Sequence, residues 1–86
     1  MEWRVGVLRS GAENVAWTER GEAADWAGAR LAAIEELQRL AGREGRQEYR
    51  VVIDGQAGIV VPGLEPDGAV ALVDLDRVIP VERYSS

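Results

Sequence analysis

One stretch of the chain repeats its apolar residues at helical spacing, and the segments on either side repeat at the spacing of strands. At about 100° per residue, Ala29, Leu40, Ala33, Trp26, Leu37, Ala23, Ala41 and Ile34 fall in one wide arc that runs out at Ala27 and Leu31. Asp25, Glu35, Glu36 and Arg39 lie opposite. The spacing predicts a helix that begins at Thr18–Gly21, with Glu19, Glu22 and Asp25 complementing its dipole. It should end near Ala41, where Gly42 and Gly45 follow. Glu35 and Arg39 are an i,i+4 pair in the favourable order. A single apolar helix stripe has to be buried against something, and the rest of the chain offers only strands. The expected class is therefore α+β, with one helix packed on a mainly antiparallel sheet.

Residues 2–9 alternate, with Trp3, Val5 and Val7 on one face and Arg4 and Arg9 off it. Ser10–Asn14 is rich in turn residues. Val15 and Trp17 share a face of a short second strand and complete a hairpin. After the helix, Glu48–Asp54 alternates again, and Val52 on the second face suggests a central strand covered on both sides. Asp54-Gly55 is a strong hairpin signal, because a type I′ turn needs positive φ at both central residues. Gly58–Val61 returns, Pro62-Gly63 ends it, and two short extended pieces follow at Ala69–Leu75 and Val78–Arg83. Pro80 cannot donate to a ladder and places the last piece at an edge. The order is β-β-α-β-β-β in one domain over residues 1–86. In element order alone, residues 2–41 resemble small bacterial antitoxin and accessory domains of the HicB kind, with no diagnostic motif shared.

A single domain of 86 residues buries roughly 60–65% of its unfolded surface, enough to fold alone. Function is narrowed mostly by what the composition lacks. There is no His, Cys or Lys, and all ten basic residues are Arg. The usual neutral-pH acid/base, the thiolate nucleophile and the Schiff-base amine are missing. None of the few hydroxyls has a His or Lys to activate it. Gly55–Gly58 is a turn and not a phosphate loop, since no Lys and no helix follow. We therefore expect a non-catalytic protein without a cofactor or a resident metal. The segment Met1–Val5 lacks the apolar core of a signal peptide, and no apolar run approaches the ~20 residues of a membrane span. A cytoplasmic location without membrane contact is expected.

The formal net charge of −5 is concentrated. Residues 51–76 carry Asp54, Glu65, Asp67, Asp74 and Asp76 with no base, whereas residues 1–50 are nearly balanced. Such a stretch repels phosphate backbones and attracts a basic protein surface, so direct nucleic-acid binding is not expected. Its other reading is solubilising charge on turns. Asp74 and Asp76 share a strand face, but their spacing lacks the pattern of a calcium loop. Arg30 stands in the middle of the apolar arc. It must pair with a carboxylate of the sheet, lie at a boundary between two faces, or anchor a partner. Trp3, Trp17 and Trp26 are three of only five aromatic residues and are expected to form a core cluster; an exposed one would mark a binding patch.

These features point to a small acidic protein-binding module that inhibits or modulates a larger macromolecule, as anti-CRISPR proteins, antitoxins and immunity proteins do. Its contacts would be Asp54, Glu65, Asp67, Asp74, Asp76 and Arg30. The alternative is an accessory subunit of a larger prokaryotic assembly or a homodimer built by edge-strand pairing.

Overall fold

The computed structural model describes residues 1–64, 70–72, 78 and 79. Strands β1 (Glu2–Leu8) and β2 (Ala16–Glu22) form a hairpin, followed by helix α1 (Trp26–Glu44). Strands β3 (Glu48–Ile53) and β4 (Gln56–Val60) form a second hairpin. Together they make a four-stranded sheet in the order β2-β1-β3-β4, with every pairing antiparallel. Two short strands, β5 (Pro62–Leu64) and β6 (Val70–Leu72), pair in a separate two-stranded sheet, and β6 runs beside α1. The predicted α+β architecture, one helix on an antiparallel sheet, is what the chain adopts.

Alternation along β1 and β3 explains the layering. Trp3 pairs with Ile53, Val5 with Val51 and Val7 with Tyr49, so all six side chains share the face that α1 covers. Leu37, Leu40, Ala29 and Ala33 descend onto them, each at most 1% exposed. Burial of this size, at roughly 25 cal/mol per Å² of apolar surface, is the main term holding the two layers together. Ile79, also in the core, closes the cluster from the C-terminal side.

The boundaries of α1 differ from those read from the sequence. Thr18–Glu22 belongs to β2, and the helix starts only at Trp26. Asp25 is its N-cap, in extended conformation, and its Oδ1 accepts from the Gly28 N–H at 2.8 Å. Glu19 and Glu22 therefore sit on an edge strand, away from the helix dipole. The helix runs on to Glu44 and stops at Gly45, whose φ of 74° breaks the spiral while its N–H still reaches the Ala41 carbonyl at 2.9 Å. Arg39 pairs with Glu36, one turn position nearer than the expected Glu35. The Asp54-Gly55 turn has φ of 49° and 79°, as a type I′ hairpin requires. β3 is central as expected, but none of the described elements covers its second face. The return strand β4 ends at Val60, just ahead of Pro62 as expected, but Pro62 then opens β5. Of the two last extended pieces, the first appears as β6; Val78 and Ile79 are not strand, and Pro80 lies outside the described residues.

Tyr49 is fully buried at the meeting of α1 and β3, and its hydroxyl donates to the Gly45 carbonyl. Burial pushes this phenol above its usual pKa, and the Glu44 carboxylate adds to the shift. The unfolded chain therefore loses this proton first, from about pH 10 upward. The stability contributed by the neutral phenol is complete below that pH and drains away as pH rises toward the folded-state value. Melting temperature above pH 10 should fall more steeply for the native chain than for Tyr49→Phe. Parallel curves would contradict this placement of the hydroxyl.

Candidate functional site

The face of the sheet turned away from α1 is uncovered among the described residues, and its composition is unusual. In register across β2, β1, β3 and β4, one row holds Trp17, Gly6, Arg50 and Ile59. The next holds Arg20, Arg4, Val52 and Ala57. Trp17 is 45% exposed and Ile59 47%. Between them runs a shallow groove of about 540 Å³, floored by Val52 and Ala57 and flanked by Arg4 and Arg50.

Two local features place Trp17 there. Val5 pairs with Glu19, but Gly6 pairs with Trp17, so Thr18 is an extra residue in β2, a bulge. An unbroken register would set Trp17 opposite Val7, on the helix side. One inserted residue moves it to the other face. The second feature is Gly6. A Cβ built there would lie 2.7 Å from the Ala16 carbonyl oxygen, 2.8 Å from Val15 Cγ1 and 3.0 Å from Trp17 Cε3. The indole thus occupies the space that any other residue at position 6 would fill. Trp3 and Trp26 behave as expected for core tryptophans, both 8% exposed; Trp17 does not join them.

The charges on this face are paired unevenly. Arg50 is answered by Glu48 on its own strand. The Arg4 guanidinium lies over the Trp17 ring, 4.3 Å from its centroid, a cation–π stack worth about 0.5–1 kcal/mol when exposed. Arg4 and Arg20 stand directly opposite each other on adjacent strands, and neither forms an ion pair among the described residues. Like charges in that arrangement are unfavourable in the free protein. One row further on, Glu2 and Glu22 also face each other. Positive charge therefore sits beside the apolar row and negative charge beyond it.

Of the residues singled out from the sequence, the two that are described, Asp54 and Arg30, lie on different elements. Asp54 is exposed at the tip of the β3–β4 turn, and its N–H donates to the Glu2 carbonyl at 2.8 Å. Arg30 is half-buried on α1, with Nε donating to the Ile79 carbonyl at 2.9 Å, so one end of this guanidinium is used within the fold. Glu65, Asp67, Asp74 and Asp76 lie outside the described residues. No group of three or more carboxylates able to hold a metal ion occurs among the described residues, and no described helix is long and apolar enough to cross a membrane. A second hollow, about 420 Å³, lies between the β1–β2 turn and the segment after α1. It is bridged by Ser10 N–H to Gln47 Oε1 at 3.1 Å. Beside it the Arg9 guanidinium forks onto Glu44, at 2.7 and 3.2 Å, which holds that carboxyl below its usual pKa.

Comparison with family models, with curated proteins and with solved structures finds no match for this chain. Function has to be read from the geometry itself.

Proposed function

We propose that the chain is a non-catalytic protein-binding module that modulates a larger macromolecule through the uncovered sheet face. The observation behind this reading is the exposed Trp17, held outward by the Thr18 bulge over Gly6. Trp17 leaves more of its ring in water than any other described aromatic residue, and Trp and Arg are among the residues most enriched at the centres of protein interfaces. The groove is apolar along its floor and carries arginines at its sides, the arrangement of an interface core with a polar rim.

The partner that fits is a protein surface with an apolar centre and carboxylates placed to meet Arg4 and Arg20. Docking such carboxylates would relieve the like-charge juxtaposition of these two side chains. Single-stranded nucleic acid fits less well. Arg4 already covers one face of the only exposed aromatic ring among the described residues, and Glu2, Glu22 and Glu48 share the surface. The acidic stretch 51–76 offers a second reading, a contact with a basic partner, for which Asp54 at its exposed turn is the described representative.

The test is paired affinity capture from the source cell with the native chain, Trp17→Ala and Asp54→Ala. A specific partner should be retained by the native chain and by Asp54→Ala, and lost at least tenfold with Trp17→Ala, whose melting temperature stays within a few degrees. Equal recovery with Trp17→Ala would reject the sheet face. Loss with Asp54→Ala alone would move the contact to the acidic stretch.

A further inference from the structure

The two edges of the sheet are treated differently, and the difference points to a second copy of this chain. β2, at one edge, is guarded. It carries the bulge at Thr18 and the charged residues Glu19, Arg20 and Glu22, devices that stop an edge from recruiting another strand. β4, at the other edge, has none of these: Gln56-Ala57-Gly58-Ile59-Val60 contains no charge, no proline and no bulge. No described strand pairs with its outer side.

Hydrogen-bond alternation identifies the free groups. The Asp54-Gly55 turn is flanked by the pair Ile53 and Gln56, and the ladder continues with Val51 and Gly58, then Tyr49 and Val60. In a hairpin with a two-residue turn these pairs exchange the bonds between the strands. The intervening residues Ala57 and Ile59 therefore turn their N–H and C=O groups outward, and Val61 follows directly on the last pair of the ladder. Their side chains are the exposed ones: Ile59 is 47% and Val61 57% exposed, and Ala57 is exposed as well. On the helix side the strand is already occupied, since a Cβ at Gly58 would meet Val78 Cγ1 at 2.5 Å.

We propose that β4 pairs antiparallel with β4 of a second copy, on a two-fold axis through Ile59. Such a register sets Ile59 against Ile59 of the second copy, exchanging both backbone bonds, and brings Ala57 beside its Val61. All six side chains so brought together, Ala57, Ile59 and Val61 of each copy, are apolar, so the strip is complementary to itself and no charge is opposed. An isologous contact of this kind closes at two chains and makes one eight-stranded sheet from two four-stranded ones. Trp17 lies on β2, at the far end of the strand order, whereas Ala57 and Ile59 border the groove at the β4 end; Trp17→Ala therefore probes the docking face without touching the β4 edge.

Sedimentation equilibrium of the native chain at about 100 µM, where protomer concentration favours association, should give twice the mass of one chain, 9.4 kDa. Ile59→Lys places two ammonium groups opposite each other on the axis and should return the single-chain mass with an unchanged far-UV spectrum. Amide exchange of Ala57 and Ile59 should slow markedly in the native dimer, with Ala57 exchanging fast again in Ile59→Lys. Single-chain mass for the native protein would overturn the proposal. So would a dimer that survives Ile59→Lys, or one that dissolves with Trp17→Ala.

Discussion

Replacing Gly6 by valine should lower stability by about 2–3 kcal/mol, at the upper end of overpacking costs. The reason lies in what the new side chain meets. Its Cβ alone would come within 2.7 Å of a backbone carbonyl oxygen, that of Ala16, which cannot rotate away as a side-chain terminus can. Strand β2 would have to separate from β1, or Trp17 would have to leave its seat. In a domain of this size each kcal/mol is worth roughly 4–8 °C in melting temperature, so the transition should fall by about 8–24 °C. Gly42→Ala provides the contrast. Position 42 lies in α1 with nothing near a built Cβ, and alanine there should stabilise by about 0.5–1 kcal/mol through helix propensity. Thermal melts of the two variants should move in opposite directions. A Gly6→Val protein as stable as the native chain would mean that β2 does not lie where the register places it.

Leu37→Ala should cost about 2–5 kcal/mol, a large part of the total of about 5–10 kcal/mol available to so small a domain. Leu37 has no exposed surface and sits where α1 crosses the sheet. Truncation removes the transfer free energy of the side chain and leaves a cavity that the rigid strands below cannot fill. Leu31, on the same helix, is 59% exposed, and Leu31→Ala should change stability by no more than about 0.5 kcal/mol. Urea denaturation measures both. Comparable losses at the two positions would contradict the helix orientation on which the layering rests.

These two cases show what the sequence made legible. The rotation of α1 could be read directly, because Leu37 and Leu31 fall in the middle and at the end of the apolar arc. The Asp54-Gly55 hairpin was equally plain, since few residue pairs tolerate its dihedral angles. The start of α1 was not. Thr18–Glu22 lies on an exposed edge where neither side of the strand is apolar, so it has no strand periodicity, and its acids resemble a first helical turn. Asp25, the true cap, was visible only as one acid among three. The bulge at Thr18 was hidden for another reason. Val15 and Trp17 keep their common face whether or not a residue is inserted after them, so alternation within β2 cannot say which face that is. Gly6 was the available signal: a small residue in the middle of an otherwise bulky strand, opposite the one tryptophan that had to go somewhere. Arg30 was conspicuous in the apolar arc because one of its partners, the Ile79 carbonyl, is far away in sequence and is a backbone group, which no pattern of side chains announces.

The exposure of Trp17 matters more than any other single feature, because both the bulge and the glycine exist to produce it. Acrylamide quenching of tryptophan emission, in the native chain and in Trp17→Phe, measures it most directly. The native chain should show one freely quenched component beside a shielded one, and Trp17→Phe should abolish the quenched component and keep the shielded emission of Trp3 and Trp26. Uniformly shielded emission in the native chain, or an accessible component that persists in Trp17→Phe, would contradict the open face as described.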